Sequence, residues 1–242
     1  MPERAVPDDP GESAPTEAPA VSSRRRKWIE IAIVVLLAIF PAVRLCFLPA
    51  PEEMTEADYW RFDYAFLCLE LVLSLLWILP AGVLILVAPE GPPHFGVRKP
   101  RWKSDLGLGV IGMLLCLAAY HGLNPLLVKV GWQERGGFIL PVQDASEAFF
   151  CVICTFISCF GQELTCRAHL QTRLGDLLGP WIGIPASIAL FTSFHLYQGA
   201  GGVAHAAAFG LILALLFRFS KSLWTCVVAH TLWNISVFMV PQ

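Results

Sequence analysis

The chain has 242 residues, 56% hydrophobic and 15% charged, with a mean hydropathy of +0.61 and a formal net charge of −2. Soluble domains carry about a quarter charged residues and stay near half apolar, so a water-soluble globule is excluded. The near balance of 17 basic against 19 acidic side chains gives nucleic acid no foothold, and eight cysteines scattered through apolar runs do not make a disulfide scaffold. The composition implies an all-α, multi-pass transmembrane helical bundle in contact with the lipid bilayer.

Residues 1–27 form a Pro-, Glu-, Asp-, Ala- and Ser-rich segment that ends in Arg24, Arg25, Arg26 and Lys27. Its composition predicts a disordered, cytoplasmic tail. An apolar run from Trp28 to about Leu48 follows, too long for a signal peptide and read as a first span. Further runs at about 64–88, 106–128, 146–170, 181–198, 203–219 and 222–240 bring the count to seven. They are separated by breakers such as PEGPP at 89–93, ERGG at 134–137 and GAGG at 199–202. With seven crossings, 13 of the basic residues fall on the tail's side and 4 on the other. Positive residues collect on the cytoplasmic face, so the N-terminus is expected inside. Residues 28–144 make an N-terminal group of helices and residues 145–242 a C-terminal core. The string GLGVIG (Gly107, Gly109, Gly112) has the spacing of a dinucleotide fingerprint, but it lies within a membrane-length run. Small residues there predict close helix approach instead, as do Ala206, Gly210 and Ala214. Cys151 and Cys154 spell CVIC without the second pair that a zinc site needs.

Polar side chains are costly in a bilayer core, and those retained there are candidate sites. Three groups stand out: Gln162, Glu163 and Arg167 in GQELTCR; Phe191 and His195 in FTSFH; His230 and Asn234 in HTLWN. Within each group the key residues are four apart and share a helix face, so Glu163 and Arg167 are positioned to pair as ions. Gathered in one pocket, a carboxylate, two imidazoles and a carboxamide have the parts for hydrolysing an amide bond. A carboxylate or imidazole takes a proton from water, and imidazole and amide N–H groups hold the developing oxyanion. Glu163, His195 and His230 are also a conceivable ligand set for a divalent metal such as zinc, although no HExxH string exists. Glu70, His121 and His205 are weaker candidates near helix ends, and a haem or metal carrier using His195, His205 and His230 is a further alternative.

The three groups resemble the motifs of the CAAX protease and bacteriocin-processing (Abi) family of intramembrane proteases, which includes the type II CAAX prenyl proteases. The family patterns Glu-Glu-x-x-x-Arg, Phe-x-x-x-His and His-x-x-x-Asn fall here as Gln162-Glu163-x-x-x-Arg167, Phe191-x-x-x-His195 and His230-x-x-x-Asn234. The resemblance covers roughly residues 145–240. It implies a helical fold around a cavity opening to membrane and cytoplasm, and endopeptidase action on membrane-associated, prenylated or other, peptide substrates. It implies that His195 helps activate water, that His230 and Asn234 hold the oxyanion, and that Arg167 anchors Glu163. A metal is not an agreed requirement in the family, so the cofactor stays open. The expected location is the cytoplasmic membrane in a bacterium or the endoplasmic reticulum in a eukaryote.

Gln162 departs from the pattern, because an amide takes up no proton at neutral pH. Glu163 is the nearest substitute, although adjacent helical residues point about 100° apart. The alternatives are His195 acting alone or a pseudoprotease or membrane scaffold that binds peptides without cutting them.

Overall fold

The computed structural model describes residues 18–45, 59–134 and 139–239, in which helices make seven passages. They are α1 (Ala18–Leu45), α2 (Tyr64–Leu86), α3 (Trp102–Lys129), α4 (Ala145–Glu163) continued by a π-helical stretch (Leu164–Gln171) and α5 (Thr172–Leu178), α6 (Pro180–Ser193), α7 (Gly199–Ser220) and α8 (Leu223–Met239). No strand occurs among the described residues, only an isolated bridge between Trp60 and Ile139. The stretches Tyr64–Leu86, Trp102–Lys129, Ala145–Leu178 and Leu196–Ser220 are long and apolar enough to cross a membrane, and α6 and α8 are shorter apolar helices. The protein is an all-α membrane helical bundle. Most of the tail, residues 1–17, and the link at 46–58 lie outside the described residues.

Local signals explain the helix ends. Asp63 caps α2 by accepting from the Phe66 N–H at 2.8 Å. Asp144 caps α4 by accepting from the Glu147 N–H at 2.8 Å, while the Glu147 carboxylate accepts from the Gln143 N–H at 2.8 Å. Such reciprocal capping satisfies donors that the first helical turn leaves orphaned.

Three boundaries differ from the sequence expectation. α1 begins at Ala18, so the basic cluster rides on its first turns; Arg and Lys are good helix formers. The fourth passage runs on to Leu178 and stops at Gly179, whose φ of 94° only glycine adopts easily. α6 starts at Pro180 and ends at Ser193, short of the 198 expected. Its 14 residues rise only about 21 Å, less than the roughly 30 Å of hydrocarbon. The turn at His195 and a single 3-10 turn, Leu196–Gln198, complete the passage. Irregular backbone at that depth is tolerated where it lines a cavity.

Glycines set the main seam, in which α3 lies along α8 and α7. A Cβ on Gly109 would stand 2.5 Å from Val228, and one on Gly112 2.7 Å from Leu216. The GLGVIG string is therefore a close-packing device, although a Cβ on Gly107 itself would meet nothing among the described residues.

Hydrogen bonds and ion pairs gather at two opposite ends of the bundle. At one end Lys27 pairs with Asp176 at 3.0 Å and with Glu90 at 3.2 Å. Buried Arg173 pairs there with Glu30 at 2.7 Å and Glu90 at 3.1 Å. The Leu223 N–H donates to the Gly96 carbonyl and the Trp224 indole to that of Arg98. At the other end Arg61 meets Glu147 at 3.1 Å, and the Val142 N–H donates to the Phe238 carbonyl. Burial alone would push the Glu90 carboxyl up, but its own backbone N–H, Lys27 and Arg173 outweigh it and hold it at about 2. Burial likewise works against charge on Lys27, yet Asp176 and Glu90 raise its pKa above the ordinary lysine value.

Candidate active site

Gln162 and Glu163 occupy the last turn of α4, where the backbone passes from α- to π-helical hydrogen bonding at Leu164. Single π turns inside α-helices often mark functional sites, because they rotate the side chains that follow. The two neighbours diverge. Gln162 faces a cavity of about 1090 Å³; its Nε2 donates to Ser158 Oγ at 3.2 Å, and its buried Oε1 has no partner among the described residues. Glu163 points away from that cavity and is fully buried. Its Oε1 lies 2.9 Å from His230 Nδ1 and its Oε2 3.3 Å from Arg167 Nε. The i, i+4 pairing expected for Glu163 and Arg167 is thus present. Arg167, also fully buried, donates from Nη2 to the Gly210 carbonyl at 3.2 Å and lies over the Phe191 ring at 4.5 Å.

The other two motifs arrive at the same place. His195 lies just past the end of α6, and its Nδ1 is 3.1 Å from the Phe191 carbonyl. A carbonyl only accepts, so Nδ1 carries the proton and the neutral ring keeps its lone pair on Nε2. Phe191 is buried beneath both imidazoles, 5.0 Å from the His195 ring and 5.4 Å, edge-on, from that of His230. Asn234, one turn beyond His230 on α8, donates from Nδ2 to Cys159 Sγ at 3.4 Å, a weak acceptor. Gln162, His195, His230 and Asn234 all line the cavity; Glu163 and Arg167 stand behind its wall.

The same cavity holds residues that the sequence brought forward weakly or not at all. His121 and Glu70 line it, Glu70 accepting from Ser74 Oγ at 3.0 Å. His205 lines it too, with Nδ1 3.1 Å from Glu134 Oε2, its Nε2 buried without a partner among the described residues and the Tyr120 ring 4.5 Å away. Glu134 belongs to the ERGG link, which read only as a breaker, and nothing in its local sequence ties it to a helix three passages' distance along the chain. Cys151 and Cys154 are buried near Phe62 and Phe66.

A metal fits these residues poorly. Among the described residues no three His, Cys, Asp or Glu side chains converge as a ligand set. Glu163 is already engaged by Arg167 and His230, and His195 and His230 alone fall short of the three protein ligands of a catalytic zinc site.

Comparison with known proteins adds one finding. Residues 144–236 match the family model described as type II CAAX prenyl endopeptidase Rce1-like, a match that opens at the α4 cap Asp144 and takes in all three motifs. No curated protein and no solved structure matches the chain. The matched family is one of membrane proteases, in keeping with four helices long and apolar enough to span a bilayer. Residues 144–236, which carry the buried polar core of this integral membrane protein, are thus similar to the Rce1-like type II CAAX prenyl endopeptidase family.

Proposed function

We propose that the protein is an intramembrane endopeptidase that hydrolyses peptide bonds of membrane-associated substrates, with His195 as the group that activates water. The observation that carries this reading is the convergence of His195, His230, Asn234 and Gln162 on one cavity. The Nε2 lone pair of His195 takes a proton as water attacks, and the water oxygen bonds to the scissile carbonyl carbon. The carbonyl electron pair moves onto oxygen, where the Asn234 amide and the His230 ring donate hydrogen bonds. The Glu163 carboxylate at His230 Nδ1 supports positive charge on that ring as the oxyanion forms, so Glu163 acts through His230 rather than on water. Collapse breaks the C–N bond, and the proton held on His195 passes to the leaving amine. Gln162 orients water through its unpartnered Oε1 but accepts no proton. Every step uses side chains of the chain itself.

A second reading, a pseudoprotease that binds peptides without cutting them, is favoured by one observation: the cavity-facing position of the first motif is an amide. Both are tested with purified protein in liposomes and a lipid-anchored fluorogenic peptide. The peptidase reading expects turnover in the native chain and its loss in His195→Ala. Binding without turnover in the native chain, with cleavage appearing only in Gln162→Glu, supports the second reading instead. Equal turnover in the native chain and His195→Ala removes His195 from the mechanism.

A further inference from the structure

We propose that His205, oriented by Glu134, forms a subsite of the cavity for a cationic side chain, lysine or arginine, of the bound peptide. That the peptide is a substrate rests on the peptidase reading above; the charge preference of the cavity does not.

The subsite is assembled where the link after α3 crosses the start of α7. A Cβ on Gly201 would stand 2.6 Å from both the Gln133 carbonyl carbon and the Glu134 nitrogen, so glycine lets the link lie directly on this first helical turn. His205 follows Gly201 by four residues and shares its helix face. The link thereby brings the Glu134 carboxylate to the imidazole, with Oε2 3.1 Å from Nδ1. An ionised carboxylate only accepts, so His205 donates from Nδ1 and keeps its lone pair on Nε2. His205 is 4% exposed and lines the cavity, and Nε2 has no partner among the described residues. A buried acceptor without a donor is costly, which makes this atom a place for an N–H of the ligand.

Charge decides which N–H. Among the described residues that line the cavity there are two carboxylates, Glu134 and Glu70, and no lysine or arginine. Arg61, beside the lining residues Trp60 and Phe62, pairs with Glu147 at 3.1 Å. Lys129 is exposed and is not part of the lining, and Arg167 behind the wall is matched by Glu163 at 3.3 Å. A peptide amide would satisfy Nε2 but leave the carboxylates without a counter-charge in a hollow walled largely by aromatic and aliphatic side chains. An ammonium or guanidinium group answers both needs. The Tyr120 ring, 4.5 Å from that of His205, adds an aromatic surface of the kind that attracts a cation. An acidic side chain would meet like charge instead.

The test uses the full-length chain in liposomes of phosphatidylcholine alone, so that no lipid charge draws the peptide. The probes are lipid-anchored fluorogenic peptides that differ at one position, which carries Lys, Gln or Glu and is moved in turn along the peptide. At one position the Lys peptide is expected to have a KM about tenfold below that of the Gln peptide, the size of a hydrogen bond to a charged group, with the Glu peptide poorer still. Glu134→Gln and His205→Ala are each expected to remove that preference, and Gly201→Ala, which displaces the link, to weaken it. Glu134→Lys is expected to turn the preference toward the Glu peptide, a gain that a damaged fold does not produce. Ratios taken within one preparation cancel differences in the amount of folded protein. The same peptides carrying a photo-cross-linking group, titrated against His195→Ala, read the preference without turnover. Cross-linking that favours Lys, with no cleavage in the native chain, upholds the subsite and overturns the peptidase reading. Equal KM and equal cross-linking for the three peptides at every position overturn the subsite. So does a native preference for the Glu peptide, or a Lys preference that survives both Glu134→Gln and His205→Ala.

Discussion

Glu163 and Asn234 belong to the same polar cluster but are tied to the fold with very different strength. Glu163 is fully buried and serves two cationic or donor partners, Arg167 at 3.3 Å and His230 at 2.9 Å. Removing its charge leaves the Arg167 guanidinium buried without a counter-ion, and breaking a buried pair in this way costs about 3–5 kcal/mol. Glu163→Gln is therefore expected to lower thermal stability in detergent sharply, whatever it does to turnover. Among the described residues Asn234 makes only the weak hydrogen bond to Cys159 Sγ, so Asn234→Ala is expected to melt close to the native chain. As an oxyanion donor it would instead lower kcat by about 10²–10³-fold with little change in KM. Native turnover in Asn234→Ala would remove it from the mechanism. The i, i+4 spacing made the Glu163–Arg167 pair legible in the sequence. Which of Gln162 and Glu163 faces the cavity was not, because that depends on helix rotation and on where α geometry gives way to π at Leu164. Glu134 was illegible for a different reason: it meets His205 across 71 positions of sequence, and no local pattern encodes such a contact.

At the scale of elements, hydropathy located the seven helical stretches of the described residues, because long apolar runs show whatever the tertiary packing, and four of these stretches are long and apolar enough to cross a membrane. It misjudged α6, since residues 194–198 are apolar enough to continue a span yet turn instead, carrying His195 into the cavity wall. Apolar character there reflects burial around a cavity rather than helix. The α3–α8 seam offers a sharper check. A Cβ at Gly109 would fall 2.5 Å from Val228 Cγ1 and 3.2 Å from the Thr225 carbonyl, so α8 has to shift to admit it. Overpacking of this kind costs about 1–3 kcal/mol. A Cβ at Gly107, two residues earlier, would have nothing within 4 Å among the described residues. Gly109→Ala is expected to lower the melting temperature in detergent and Gly107→Ala to leave it unchanged or raise it, since Ala is the better helix former. Equal effects at both positions would mean that the glycines serve the helix rather than the seam.

Across the whole molecule, the charged layer around Lys27 and Arg173 joins α1 to the link after α2 and to the end of the fourth passage, and so couples the N-terminal helix to the core. Its protonation therefore governs global stability, and the sign follows from Glu90. This carboxyl sits at about 2 in the folded protein against an ordinary 4.5. A depressed carboxylate stabilises the fold above its ordinary pKa and loses that contribution as pH falls through the interval down to the folded value. Lys27 works with the opposite sign: its raised pKa gives stability that is present at neutral pH and lost only above 10.5, as pH climbs through the raised value. Between pH 5 and 8 both contributions are complete, and acid is the accessible way to remove one. Glu90→Gln is thus expected to melt below the native chain at pH 7, with the gap narrowing steadily from pH 4.5 toward pH 2. Thermal unfolding of both chains in detergent across that range measures the gap directly. A gap that stays constant over the interval would mean that the Glu90 carboxylate contributes through its shape alone, and that α1 is held to the core by packing rather than by charge.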